Sequence, residues 1–225
     1  MPSRAKNHAG SPSSQTAVQG AEPLVESIWS NLSKLSKGRD RTRILFTGTE
    51  GHSGTTLITS ATALGLARNT GANVTVVEAH LASPSMATYL GFEPTPGLSD
   101  LLAGRASLQD CLRGVPGCGS LQAIPGGTPQ RVTVGEFVTP EARECLEAVT
   151  THTPIVLIDA PPLLEYPETR ALLSHVDGVV LVLRARSSQK SAVRRAVERI
   201  EEAGVEVIGS VLNRFRSELP FSVEE

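Results

Sequence analysis

Apolar residues along the chain fall into two alternating patterns. Short continuous runs read as strands: "RILFT" (43–47), "NVTVVEA" (73–79), "SLQAIPG" (120–126), "PIVLIDA" (154–160), "GVVLVLRA" (178–185) and "VEVIGSVLN" (205–213). Several are rich in Val and Ile with no polar alternation, as expected where both faces of a parallel sheet are covered. Between them, helical spacing covers 55–69, 139–150, 167–174 and 188–203. Strands alternating with helices predict an α/β domain, a mostly parallel sheet with helices on both faces in a three-layer sandwich. Upstream, Leu24, Val25, Ile28, Trp29, Leu32 and Leu35 recur at helical spacing and predict an amphipathic helix that ends near Gly38.

Residues 1–21 are rich in Ser, Ala, Gly and Gln and lack a periodic apolar face, so they read as a disordered tail. The predicted organisation is that tail, one domain over 22–216, and a short flexible tail over 217–225. A chain of 225 residues, 40% hydrophobic and 20% charged, suits one soluble domain with a real core. Net charge −2 and a pI near 6.2 argue against a nucleic-acid binder that relies on a basic surface. Cys111, Cys118 and Cys145 are scattered, without metal-ligand spacing, and fit reduced thiols in the cytosol. No run reaches the roughly 18 apolar residues of a membrane span, and the N-terminus has no apolar signal core.

The stretch "TGTEGHSGTTL" (47–57) follows the first strand pattern and opens a helical one. That is the place of a phosphate-binding loop, G-x-x-x-x-G-K-[ST], whose backbone N–H groups and helix N-terminus face an anion. Aligned on that pattern, Gly54 keeps the second glycine and Thr56 the hydroxyl that would bind magnesium. Thr49 takes the place of the first glycine, and Thr55 that of the lysine. Glu50 adds negative charge to a loop meant to face phosphates. Phosphoryl transfer depends on positioning and charge compensation. Loss of one catalytic donor can cost roughly 10²–10³ in rate, and loss of the cation costs at least that. Binding through the N–H groups of Gly51, Ser53, Gly54, Thr55 and Thr56 is what remains. Taken alone, the loop reads equally as a glycine turn capping a helix.

Five stretches in order resemble the bacterial tyrosine autokinases of capsule and exopolysaccharide synthesis, in the MinD/ParA-like branch of P-loop ATPases. They are "PTPGLSDLLAG" (94–104), "LQAIPGGTPQ" (121–130), "VLIDAPPLLE" (156–165), "DGVVLVLRARSSQ" (177–189) and "GVEVIGSVLNRF" (204–215). The resemblance implies a P-loop NTPase-like sandwich. It makes Asp159 the Walker B aspartate that helps hold magnesium together with Thr56, and Asn213 the residue that hydrogen-bonds adenine. The family's D-x-D-x-R motif, which binds metal and activates the attacking hydroxyl, becomes "EAHLASP", with Glu78, His80 and Ala82 at those positions. Its N-terminal E-x-x-R-x-x-R oligomerisation motif becomes "ESIWSNL", with Trp29 and Leu32 for the arginines. These apolar side chains suggest packing on the chain's own core or on a partner. The tail "RFRSELPFSVEE" has no tyrosine, and Tyr89 and Tyr166 read as packing residues.

The losses fall together on chemistry while the fold-building stretches persist. The expectation is a pseudokinase-like cytoplasmic domain in which Glu78 and Asp159 are vestigial catalytic residues. Gly51, Ser53, Gly54, Thr55, Thr56 and Asn213 would be a vestigial cofactor site, and Thr56 and Asp159 a vestigial metal site. No cofactor is required on this reading, with weak binding of ATP or ADP and Mg as the variant of it. The expected partner is the cytoplasmic part of a membrane polysaccharide co-polymerase or an active paralogous kinase, with membrane association only through that partner. The alternative is an ATP-binding protein, or an active autokinase or ATPase with a non-standard phosphate loop.

Overall fold

The computed structural model describes residues 26, 28–32, 40–131 and 134–214. Seven strands form one sheet: β1 (Thr42–Gly48), β2 (Val74–Glu78), β3 (Arg113–Val115), β4 (Cys118–Ile124), β5 (Ile155–Asp159), β6 (Gly178–Arg184) and β7 (Glu206–Asn213). Their order is β3-β4-β2-β5-β1-β6-β7. All pairings are parallel except β3 with β4. The six strands foreseen from apolar runs are all present. Three-residue β3 escaped notice because Gly114 and Pro116 break any pattern around it.

Side chains alternate across each strand, which splits the core into two layers. Ile44, Phe46, Val74, Val76, Leu157, Val180 and Val182 pack on one face, under the helix Thr55–Thr70. Leu45, Val77, Val156, Ile158, Val179 and Leu181 pack on the other. That second face is covered by Pro140–His152, Pro167–Leu172 and Lys190–Glu202, which contribute Leu146, Val149, Leu172, Ala196 and Ile200. The long helices match the sequence expectation within about two residues. Residues 167–174 instead divide into a helix and a 3-10 turn, Leu173–His175.

Helical residues 28–32 join the first face. Leu32 is fully buried, Ile28 is 7% exposed, and Trp29 packs against the same layer. The apolar residues at the former arginine positions therefore serve the chain's own core. The tails expected at 1–21 and 217–225 and the helix end near Gly38 lie outside the described residues.

The "PGLSDLL" and "IPGG" stretches form a single unit. Leu98 N–H donates to the Pro125 carbonyl at 2.7 Å, and Ser99 N–H to that of Gly126 at 3.0 Å. A Cβ on Gly97 would stand 2.3 Å from both Gly127 N and Pro125 O. Only glycine lets these two backbones approach so closely. The resulting clasp holds residues 97–99 against the segment after β4, which Gly126 N–H in turn ties to Glu78 at the end of β2.

Candidate functional site

The ends of β1 and β5 are strapped together. Thr47 Oγ1 donates to the Pro161 carbonyl at 2.7 Å, and Leu163 N–H donates to that of Gly48 at 3.0 Å. Between β1 and the helix Thr55–Thr70, the chain turns through a loop with Gly54 at φ 84°, a conformation that favours glycine. A Cβ on Gly48 would stand 2.4 Å from Ser53 Oγ. The close approach that spacing assigned to the first loop position is thus met one residue earlier, at Gly48. Thr49 is buried, and its hydroxyl has no hydrogen-bond partner.

Side chains of the loop are tied to protein groups. Ser53 Oγ and Thr55 Oγ1 are 2.9 Å apart and hydrogen-bonded. Asn213 Nδ2 donates to the Ser53 carbonyl at 2.8 Å, while its Oδ1 accepts from Arg214 N–H at 2.8 Å. One bond at each end of the Asn213 amide makes it a strut under the loop and leaves a second donor and a second acceptor site for the adenine-reading role implied for it. Ser188 Oγ donates to Glu50 Oε1 at 2.9 Å. Gly51 N–H, one of the groups expected to face phosphate, donates to Glu165 Oε1 at 3.2 Å.

A cavity of about 420 Å³ opens on this loop. It is lined by Gly51 to Leu57, His80, Ser83, Ser85, Tyr89, Ala160 to Pro162, Glu165 and Tyr166. None of these is a lysine or an arginine. The His80 ring meets Tyr166 edge-on at 5.7 Å, and burial lowers its pKa, so it adds no charge at neutral pH. Tyr89 and Tyr166, expected only to pack, form part of the cavity wall.

Two carboxylates face each other across β2 and β5, where Glu78 is in register with Asp159. Glu78 is 1% exposed. Its Oε1 accepts from the N–H groups of Ser85 and Met86, the latter at 2.8 Å, and its Oε2 accepts from Gly126 at 2.9 Å. Burial raises its pKa, and those three donors oppose the rise. Those three bonds give Glu78 a structural duty: its carboxylate pins the turn at 85–86 to the segment after β4.

Asp159 is the opposite case. It is fully buried, and neither carboxylate oxygen has a hydrogen-bond partner. Burial raises its pKa well above the ordinary carboxylate value, and the charge of Glu78 adds to the rise. Thr56 and Thr59 face it and act in the other direction, though neither bonds it with normal geometry. A buried carboxylate without a partner is costly unless it is protonated or bound to a cation. A magnesium ion fits this requirement. Thr56 and Asp159 would hold it with the hard oxygen donors it prefers, and the ion would supply charge compensation for phosphate oxygens. Among the described residues, the cavity wall offers a triphosphate no lysine or arginine, and an acid already occupies one loop N–H.

No protein-family model matches the chain. Among curated proteins it is 30% identical over 145 residues to EpsB of Ralstonia nicotianae, covering 64% of this chain and 19% of that protein. An ATP-binding protein of Methanocaldococcus jannaschii is 30% identical over 173 residues, 75% of this chain and 62% of the relative. The tyrosine-protein kinase CpsD of Streptococcus agalactiae is 25% identical over 180 residues, 79% of this chain and 77% of the relative. The chain thus spans about a fifth of EpsB but most of CpsD. Among solved structures, the kinase domain of Escherichia coli tyrosine kinase ETK superposes with TM-score 0.78 at 23% identity, over 90% of this chain and 80% of that one. MinD of Pyrococcus horikoshii, in complex with Mg-ADP, gives TM-score 0.64 at 23% identity, over 79% and 72% of the two chains.

Proposed function

Since the chain belongs among the bacterial tyrosine kinases by homology, with a MinD-like P-loop fold, we propose that it is a catalytically impaired member. In this reading it regulates or scaffolds the machinery of exopolysaccharide or capsule polymerisation and export. It docks on the cytoplasmic part of a membrane polysaccharide co-polymerase or on an active paralogous kinase. Among the described residues no helix is long and apolar enough to cross a membrane, so membrane association would come through that partner.

One observation carries the reading. Thr55 stands in the lysine position, and its hydroxyl is bonded to Ser53 in a cavity walled, among the described residues, by no lysine or arginine. Without a fixed cation, transferring a phosphoryl group lacks its main electrostatic support. The test is incubation with Mg·ATP, reading phosphotyrosine and phosphate release for the unsubstituted chain and for Thr55→Lys. The unsubstituted chain should stay at background. Thr55→Lys should bind Mg·ATP roughly tenfold more tightly, as expected of one charge-assisted contact. Turnover by the unsubstituted chain would overturn the proposal.

The orphaned carboxylate of Asp159 favours a second reading, in which the chain binds a magnesium nucleotide as a ligand without turning it over. Unfolding temperature with and without millimolar Mg·ADP separates the two. Ligand at 100 times Kd adds about 2.7 kcal/mol, whereas a scaffold without nucleotide shows no shift.

A further inference from the structure

We propose that Glu165 is an internal anion seated on the phosphate loop, and that it sets the pocket's ligand class by excluding polyphosphates. The inference deepens the reading of this pocket as degenerate and rests on it.

Its carboxylate is aimed by a built turn. Glu165 N–H and Tyr166 N–H both donate to the Pro162 carbonyl, at 3.1 and 3.0 Å. Tyr166 is braced against His80, and Pro167 starts a helix immediately after. From this turn Oε1 accepts the Gly51 N–H at 3.2 Å, and Oε2 would lie 3.9 Å from a Cβ on Gly51. The side chain therefore does at one loop amide what a phosphate oxygen would do. Being exposed on its outer side, it can swing away, so the exclusion is graded.

Two physical terms act on an incoming polyphosphate. It must displace a charge-assisted hydrogen bond, and it meets a carboxylate of the same sign within a few ångströms. A ligand without phosphate meets neither. Adenosine is such a ligand. Glu50 differs, since its carboxylate is held outward by Ser188.

The full chain and its Glu165→Gln and Glu165→Ala variants are titrated with adenosine, Mg·ADP and inorganic pyrophosphate. Both substitutions should tighten Mg·ADP and pyrophosphate roughly five- to tenfold and leave adenosine unchanged. The gain should shrink in about 1 M salt, where the Debye length falls to about 3 Å. In the unliganded protein, the Gly51 amide resonance should move on Glu165→Gln. Equal effects on all three ligands, no effect, no polyphosphate binding by any of the proteins, or a stationary Gly51 amide would each overturn the proposal. The outcome is separable from the kinase question. Turnover by the unsubstituted chain would sink the impaired-kinase reading, whereas the affinity ratios judge Glu165.

Discussion

The phosphate-loop region (48–56) and the Gly97–Gly127 clasp differ in what their residues touch. In the clasp the family-like residues are each consumed in contact. Gly97 has no room for a Cβ, and Leu98 and Ser99 donate to the carbonyls of Pro125 and Gly126. In the loop the backbone makes its turn at Gly54, and the position where the motif has lysine is Thr55. Packing constrains shape and has no hold over a side chain whose only task is to meet a ligand.

The comparison can be broken first at the clasp. Gly97→Ala drives a Cβ into two backbone atoms that cannot swing aside, and should destabilise the protein by about 3–5 kcal/mol in urea unfolding. A loss under about 1 kcal/mol would mean that the two segments separate easily.

Next comes Glu78, which ties the clasp at Gly126 to the turn at 85–86. Glu78→Ala leaves three N–H donors unmet, two of them buried, and should cost about 2–3 kcal/mol, less than their sum because it also removes a buried acid. The same unfolding curve checks it, and a neutral result would show that the three bonds add nothing net to stability.

Asp159 gives the smallest effect, and its sign is reversed. Its folded-state pKa is raised, so above the ordinary carboxylate range the folded chain holds a proton that the unfolded chain has released. Stability falls as pH climbs through that interval, and the whole loss is present beyond it. Asp159→Asn should therefore raise stability by about 1–2 kcal/mol at pH 8 and change little near pH 4. Millimolar Mg²⁺ should raise the melting temperature of the parent and leave the variant unmoved. A variant less stable than its parent at pH 8 would show that the carboxylate has a partner.

Much of the scaffold was legible from the sequence, because buried parallel strands and long amphipathic helices leave periodic traces. Ile28 and Leu32 are an instance, their spacing alone pointing to a core-facing stripe. The site was legible only in part. Thr55 and Asp159 could be placed by motif spacing. The duties of Glu78, Asn213 and Glu165 are set by partners far along the chain. Glu165 lies 114 residues from Gly51, and Asn213 lies 160 residues from Ser53. Local pattern carries no record of such pairings. Gly48 was missed for a simpler reason, since the loop reaches its tight approach one position before the spacing rule expects it.

The staple made by Glu78 couples the choice of acid at that position to folding. A shorter acid there would draw the carboxylate back by one methylene from amides it holds on two separate segments. An exchange of Glu for Asp would thus be felt first as a loosening of the scaffold, before any effect on the pocket.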